Sequence, residues 1–279
     1  MINCRNVSKS FSSKKILKGI NMDVKKGEIF GLLGPSGAGK TTLIKILTGQ
    51  LKAEGDISIL GINPHSLKGD DYRKIGIMME SFGVYERLSC IDNLRTFADI
   101  YGIPQDKVLA TLEDVGLKDA AKTAAGKLSK GMRGRLQLAR VFMQTPDIIF
   151  LDEPTSGLDP QTAESIRELI SSKKEQGCTI FLTTHDMNEA AVLCDHLALL
   201  NEGRIVEYGT PEEICRRYNH QNKIVIHLYD GTDITLENDG TGALQIAELL
   251  SLKKVETIHS TEPNLETVFL ELTGRGFCA

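Results

Sequence analysis

The spacing of hydrophobic positions changes along the chain and divides it into regions. Short alternating or apolar segments bounded by polar turns predict strands at Ile2 to Val7, Ile16 to Val24, Glu28 to Leu33 and Asp56 to Leu60. From about residue 89 to 145 the apolar positions recur at the three- and four-residue spacing of helices. The pattern therefore predicts a β-rich opening followed by an inserted helical subdomain.

Strands and helices alternate in the next part of the chain. The strand IIFL precedes a helix after Pro160, and the strand CTIFLT precedes a helix after Asp186. Such alternation is typical of a parallel sheet covered by helices. After about Tyr218 short strands, a helix, the strand VETIHS and a terminal helix follow. We therefore expect one α/β domain over residues 1–217 and a small α+β extension over residues 218–279.

The composition excludes several classes of protein. With 41% hydrophobic and 25% charged positions among 279 residues, the chain can bury a sizeable core. A net charge of −4 argues against a general nucleic-acid-binding surface, and six cysteines without a C-x-x-C pair indicate neither a zinc site nor a disulfide framework. No stretch has the apolar length of a secretory signal or a membrane span. We therefore expect no nucleic-acid partner, and any membrane role to pass through a partner protein.

The stretch GPSGAGKTT carries the clearest chemistry in the sequence. It lies between the apolar run IFGLL and the predicted helix LIKILTG. Glycines let backbone N–H groups approach a ligand closely, and a helix N-terminus favours an anion. Lys40 adds a positive charge for terminal phosphates, and Thr41 offers a hydroxyl to Mg²⁺. The stretch predicts a phosphate-binding loop for a nucleotide, formed by Gly34, Pro35, Ser36, Gly37, Ala38, Gly39, Lys40, Thr41 and Thr42.

Three further side chains follow two of the predicted parallel strands. Asp152 and Glu153 end the strand in DIIFLDE, where Asp152 can hold Mg²⁺ and Glu153 can orient or deprotonate an attacking water. His185 follows the strand CTIFLT, at the end where ligands of such sheets collect.

Ser129 and Gly131 open a helix in LSKGM, which makes either an anion-receptive helix end or an ordinary N-cap.

In this order, GPSGAGKTT, LSKGM, IIFLDEPTSGLDP and TTH resemble the nucleotide-binding subunit of ATP-binding cassette (ABC) transporters over about residues 2 to 217. The resemblance implies an α/β P-loop NTPase fold with a parallel core sheet, an N-terminal antiparallel β-subdomain and the inserted helical subdomain. It also implies a head-to-tail dimer of two cassettes, identical or homologous, with MgATP between the phosphate loop of one chain and the LSKGM segment of the other.

The resemblance also implies roles for individual residues. Phe11 matches the aromatic that stacks on adenine, although a core position at a strand end is an open alternative. Glu153 matches the catalytic base, and His185 the sensor of the γ-phosphate. Contacts across the dimer are implied for Ser129, Gly131, Met132 and Asp159.

Two departures from the family pattern narrow the expected function. Glu80 stands where the family usually has glutamine as a metal ligand, and LSKGM replaces LSGGQ. These changes and the tail EPNLETVFLELTG resemble exporters of drugs, antibiotics or antimicrobial peptides, whose membrane permease is a separate polypeptide. We therefore expect a cytoplasmic subunit that docks on the inner face of the membrane, with Phe82, Val84 and Tyr85 as docking or core residues.

Other functions remain open from the sequence. An ABC importer subunit shares the same motifs. A soluble regulatory ABC ATPase usually carries tandem cassettes or a coiled-coil insertion, and this chain has neither. A P-loop kinase or GTPase leaves LSKGM and His185 unexplained, and the sequence has no N-K-x-D guanine motif.

Overall fold

The computed structural model describes residues 1–79, 83–220 and 223–274 and divides the chain into two compact units. The first unit spans Met1–Tyr208, and the second begins at Gly209. The elements of the first unit are β1 (Ile2–Phe11), β2 (Lys14–Val24), β3 (Ile29–Leu33), α1 (Lys40–Leu47), β4 (Glu54–Ile59), α2 (Gly69–Tyr72), β5 (Ile75–Met78), α3 (Cys90–Tyr101), α4 (Asp106–Asp114), α5 (Lys130–Phe142), β6 (Ile148–Asp152), α6 (Pro160–Glu175), β7 (Thr179–Thr184), α7 (Met187–Leu193), β8 (His196–Asn201) and β9 (Arg204–Gly209).

A three-stranded antiparallel sheet in the order β2-β1-β4 opens the fold. β1 extends past its predicted end at Val7 to Phe11, where it pairs with Lys14 across a two-residue turn. Register shifts between Cys4 and Ser8 break the alternation of side chains in β1. The bulges explain why the alternating pattern ends too early in the sequence.

The core sheet has the strand order β5-β6-β7-β3-β8-β9. β5, β6, β7, β3 and β8 pair in parallel, which confirms the predicted parallel sheet. β8 and β9 are neighbours joined by Glu202 and Gly203, both at positive φ, and so short a connection requires antiparallel pairing. The sequence pattern did not identify this edge hairpin.

Three phenylalanines form a row across the centre of this sheet. Phe30 of β3, Phe181 of β7 and Phe150 of β6 are directly opposite one another in the strand register and are fully buried. The ring centroids lie 5.6 Å apart for Phe30 and Phe181 and 5.5 Å apart for Phe150 and Phe181. Such pairs stabilise by about 0.5–1.5 kcal/mol beyond the area they bury. The row fixes the three strands whose carboxyl ends carry the predicted site residues.

The segment between β5 and β6 is helical, as predicted. α3, α4 and α5 pack against one another through buried side chains that include Leu94, Leu112 and Leu136. Ser89 caps the start of α3 by accepting a hydrogen bond from the N–H of Asp92. Gly116, at φ 68°, lies just after the last turn of α4, in agreement with its predicted role in ending that helix.

The second unit contains α8 (Pro211–Arg217), β10 (Lys223–Leu228), β11 (Asp233–Glu237), α9 (Gly240–Ser251), β12 (Val255–Ser260) and α10 (Leu265–Thr273). Its sheet is antiparallel in the order β11-β10-β12. α8 packs against α10, so it groups with this unit, whereas the sequence pattern places the boundary after residue 217. Within the described ranges, no helix is both long enough and apolar enough to cross a membrane.

Candidate nucleotide-binding site

The phosphate loop connects β3 to α1, and its glycines have identifiable steric reasons. A Cβ on Gly34 would lie 2.3 Å from the carbonyl oxygen of Leu200, which excludes any side chain there. Gly37 and Gly39 have φ of 79° and 115°, values that favour glycine. A Cβ on Gly39 would also lie 2.8 Å from Leu17. The loop therefore has the tight backbone that cradles phosphate oxygens.

Lys40 is the first residue of α1, and its side chain is only 8% exposed. Its Nζ donates a hydrogen bond to the carbonyl oxygen of Gly34 at 2.5 Å. It also forms an ion pair with Oε1 of Glu153 at 3.1 Å. The ammonium thus lies between the phosphate loop and the acid that ends β6, where it can reach a terminal phosphate.

Asp152 is buried, and both of its carboxylate oxygens have hydroxyl partners. Thr41 Oγ1 donates to Oδ2 at 2.9 Å, and Thr183 Oγ1 donates to Oδ1 at 2.5 Å. A carboxylate and a hydroxyl in contact are hard oxygen ligands suited to Mg²⁺, which in nucleotide sites binds one or two carboxylates together with phosphate and water. Within the described ranges no group of three or more His, Cys, Asp and Glu could hold a metal by itself. Thr41 and Asp152 fit a magnesium ion that is shared with a nucleotide.

Glu153 and His185 form a close pair at the same edge of the sheet. The Nδ1 of His185 lies 2.7 Å from Glu153 Oε2, and the backbone N–H of His185 donates to the same oxygen at 3.3 Å. Because a carboxylate only accepts, this geometry assigns the hydrogen to Nδ1 and leaves Nε2 as the other nitrogen of the half-exposed ring. A carboxylate has about four lone-pair sites, so Glu153 can still accept a hydrogen bond from water.

The backbone at Glu153 is strained. Its φ of 54° is in the left-handed region, which costs a non-glycine residue about 1–3 kcal/mol. The N–H of Glu153 donates to the carbonyl oxygen of Thr183 at 3.0 Å, which ties the turn after β6 to the end of β7. Strain of this kind persists only where surrounding contacts enforce it, and it clusters at functional sites.

Phe11 lies at the end of β1 and is 45% exposed. The ammonium of Lys9 lies 4.9 Å from the centre of its ring. Its exposure does not fit the alternative of a core residue, and its face can stack on a planar ligand.

The remaining predicted contact residues lie at the starts of α5 and α6. Ser129 caps α5 by accepting from the N–H of Met132 at 3.2 Å, and Asp159 caps α6 by accepting from the N–H of Thr162 at 3.0 Å. Hydrogen bonds from the hydroxyl and the N–H of Thr162 lower the pKa of Asp159, which keeps it ionised. A Cβ on Gly131 would lie 2.2 Å from the Thr162 methyl carbon, so the two helix starts are in close contact.

Sequence reasoning missed some polar residues near this edge. Thr183 orients Asp152, and the signal for it is the pair of threonines before His185. A cavity of about 430 Å³ beside Asp152 and Glu153 is also lined by Lys130 and Arg133 of α5, so basic groups line the same cavity as the two acids. Glu80 and Phe82 lie outside the described residues, so the roles predicted for them remain predictions.

Comparisons with known proteins agree with these observations on the site. The sequence profile described as ABC transporter matches residues 17–156. A fluoroquinolones export ATP-binding protein of Mycobacterium tuberculosis is 41% identical over 269 residues, which cover 95% of this chain and 89% of that protein. A linearmycin resistance ATP-binding protein of Bacillus subtilis is 31% identical over 99% of both chains. Among solved structures, a dimeric ATP-binding cassette in a post-hydrolysis state bound to ADP and Pi has a TM-score of 0.68 and 28% identity, with 75% of this chain and 98% of that chain covered.

Proposed function

The chain belongs to the ABC transporter family, and on that premise we propose that it is the ATP-hydrolysing subunit of an exporter of drugs, antibiotics or antimicrobial peptides. The contact set at the carboxyl edge of the sheet carries the ATPase part of this proposal. Lys40, Glu153 and His185 form one connected group, and Thr41 and Asp152 form the adjacent pair. These are the groups that phosphoryl transfer to water requires, namely a phosphate clamp, a metal pair and a base.

In the proposed reaction the phosphate loop and Lys40 bind the β- and γ-phosphates of ATP. Thr41 and Asp152 would hold Mg²⁺, which would neutralise charge on the phosphates. Glu153 accepts a proton from the attacking water as the new P–O bond forms and the bond to ADP breaks. His185, oriented by its Nδ1 contact with Glu153, presents its other nitrogen toward the γ-phosphate. Phe11 stacks on the adenine.

The dimer belongs to the proposal as well. Ser129, Gly131 and Met132 at the start of α5, and Asp159 at the start of α6, would contact nucleotide or chain across a head-to-tail interface. The exposed positions of Ser129 and Asp159 are consistent with this role. Closure of the dimer on MgATP and reopening after hydrolysis would drive the membrane partner.

The export direction has separate support. The relatives that match nearly the whole chain are named for drug export and antibiotic resistance. Glu80, the LSKGM segment and the tail EPNLETVFLELTG resemble the same branch. The tail forms α10, whose Leu265, Val268 and Phe269 are buried, so this motif is a packed part of the second unit.

A separate membrane permease is the proposed partner, with Tyr85 at the docking surface. Tyr85 is 52% exposed and stacks on Phe97 with ring centroids 5.9 Å apart. The buried side chain of Asn93 accepts from the N–H of Tyr85 at 2.6 Å and donates to its carbonyl oxygen at 3.0 Å. An exposed aromatic side chain on a backbone anchored in this way suits docking on a partner better than a core role. The chain would then act at the cytoplasmic face of the membrane.

Complementation of a host that lacks this gene tests the proposal. The wild-type chain should restore resistance to at least one of a fluoroquinolone, bacitracin and a lantibiotic, whereas Glu153→Gln should not. Tyr85→Ser should fail to restore resistance while the purified variant keeps its ATPase rate and melting temperature. Tyr229→Ser, at a tyrosine that is 71% exposed in the second unit, is the matched control and should restore resistance.

Two results would count against the proposal. Unchanged susceptibility of the deletion host to the whole panel would exclude these classes as exported substrates. A steep fall in the melting temperature of Tyr85→Ser, with no separate loss of resistance, would assign Tyr85 to the core.

A further inference from the structure

A buried carboxyl lies behind the Glu153–His185 pair. Glu189 is on α7, four residues after His185, and only 1% exposed. Its Oε1 accepts a hydrogen bond from Thr155 Oγ1 at 2.6 Å, and both groups are buried. Its Oε2 is buried and has no hydrogen-bond partner within the described part of the chain. A carboxyl in such a place is costly, so the contact that it makes calls for an explanation.

The Thr155–Glu189 contact closes a ring of chain around the proposed base. Thr155 follows Glu153 by two residues, with Pro154 between them, and Glu189 follows His185 by four. The ring is closed at its other end by the 2.7 Å contact between His185 Nδ1 and Glu153 Oε2. Two short segments, 153–155 and 185–189, are therefore tied to each other at both ends.

The first turn of α7 holds Glu189 firmly within this ring. The N-cap residue Asp186 accepts from the N–H of Asn188 at 2.8 Å and from the N–H of Glu189 at 3.1 Å. Burial raises the pKa of this carboxyl, and the hydrogen bond from the Thr155 hydroxyl partly opposes the shift.

Strain at Glu153 supplies the reason for such an anchor. Glu153 is in the left-handed region at φ 54°, and a strained residue needs neighbours that enforce its conformation. The backbone hydrogen bond from Glu153 to Thr183 holds the turn on one side. Thr155 is the next side chain after Pro154, and its hydroxyl is held by Glu189 on the other side.

We infer that Glu189 is a positioning residue: through Thr155 it holds the turn that carries Glu153, and so sets the geometry between Glu153 and His185. Glu189 itself need not touch nucleotide or water. The inference rests on the proposed role of Glu153 as the base. An apolar residue of similar size at position 189 would keep the packing but would release the Thr155 hydroxyl.

Steady-state ATPase assays on the purified full chain test this inference. We expect Glu189→Leu and Thr155→Val each to lower kcat about tenfold, which corresponds to about 1.4 kcal/mol, with KM for MgATP changed less than twofold. The double variant should be no slower than the slower single variant, because both changes remove the same link. Glu189→Gln keeps an oxygen that can accept from Thr155, so it should stay within threefold of the wild type.

Matched measurements separate positioning from simple loss of stability. Val192→Ala changes an exposed side chain on the same helix and should leave kcat unchanged. Should Glu189→Leu fold poorly, the nearly isosteric Thr155→Val carries the test. Unchanged kcat in Thr155→Val, or losses that add in the double variant, would overturn the inference. Glu153→Gln in the same assay tests the base independently: normal turnover there would refute the proposed role of Glu153 whatever the Glu189 variants do.

Discussion

Replacing Glu153 by glutamine should separate nucleotide binding from hydrolysis. The substitution keeps the size of the side chain but removes the negative charge that faces Lys40 Nζ at 3.1 Å and His185 Nδ1 at 2.7 Å. We expect hydrolysis to slow at least about 10²-fold, because general-base catalysis contributes about 10²–10⁴-fold. We expect the affinity for MgATP to stay the same or to rise.

The geometry around Lys40 gives the reason for the second expectation. At 3.1 Å and an effective dielectric constant near 20, the attraction between Lys40 and Glu153 is about 5 kcal/mol before desolvation is counted. Part of this attraction opposes any movement of the ammonium from Glu153 toward a phosphate. Glutamine removes the opposing attraction, so Lys40 becomes freer to bind the nucleotide. The loss in the variant should therefore be confined to the chemical step, at about 2.7–5.5 kcal/mol.

Binding and turnover must be measured on the same preparation. Equilibrium titration with a fluorescent ATP analogue gives Kd, release of inorganic phosphate gives kcat, and size-exclusion chromatography with MgATP should show accumulated dimers. Glu113→Gln, which removes an exposed acid paired with Lys118, is the control and should change neither value. Near-normal turnover in Glu153→Gln would place the base elsewhere, and a Kd that rises severalfold would refute the competition for Lys40.

Four further predictions test other parts of the structure. Phe11→Ala should weaken ATP binding by about 1–3 kcal/mol through lost stacking. Because the Phe11 side chain is 45% exposed, the melting temperature of the variant should barely change. Gly31→Ala should lower the free energy of unfolding by about 1–3 kcal/mol in urea titrations, because the added Cβ would lie 2.6 Å from Cys194 Sγ. Adding Cys194→Ala in a double variant should recover part of that loss. If Glu80 holds the metal against nearby phosphate charge, ATPase activity should depend steeply on free Mg²⁺. Glu80→Gln should weaken that dependence, and Glu80→Ala should lose most turnover. Superimposable Mg²⁺ titrations of the wild type and both variants would exclude Glu80 from the metal shell. Burial raises the pKa of Cys4 to about 12, so above about pH 9 the folded chain retains a proton that the unfolded chain loses. The free energy of unfolding should therefore fall as pH rises from about 9 to 12. Urea titrations of Cys4→Ala should show a shallower fall.

Local sequence signals predicted the parts of this fold that depend on near neighbours. The phosphate loop is an example, because the same glycines that identify it are those whose φ or close contacts exclude other residues. The end of β1 was missed because bulges break its alternation, and the pairing of Phe11 with Lys14 is a tertiary fact.

The contact between Thr155 and Glu189 joins residues 34 positions apart, and no periodic pattern marks it. A glutamate within a short helix is usually solvated, so its burial depends on the strands and turns around it. The catalytic candidates were found from the sequence because their chemistry is unusual. Their supporting residues were not found, because threonine and glutamate are common anywhere on a surface.

The row formed by Phe30, Phe181 and Phe150 also determines how the chain can move. Each ring lies two to three residues before the end of its strand, which is within about 13 Å along the chain of the start of the phosphate loop, of His185 and of Asp152. Because the rings pack against one another across neighbouring strands, we expect these three strand ends to form one stiff platform that resists shear. We therefore expect a displacement transmitted to the proposed membrane partner to arise in the surrounding segments, such as the α3–α5 bundle. A cavity-forming change such as Phe181→Ala would soften the platform, so that its first symptom would be poorer alignment of the reacting groups, ahead of any global unfolding.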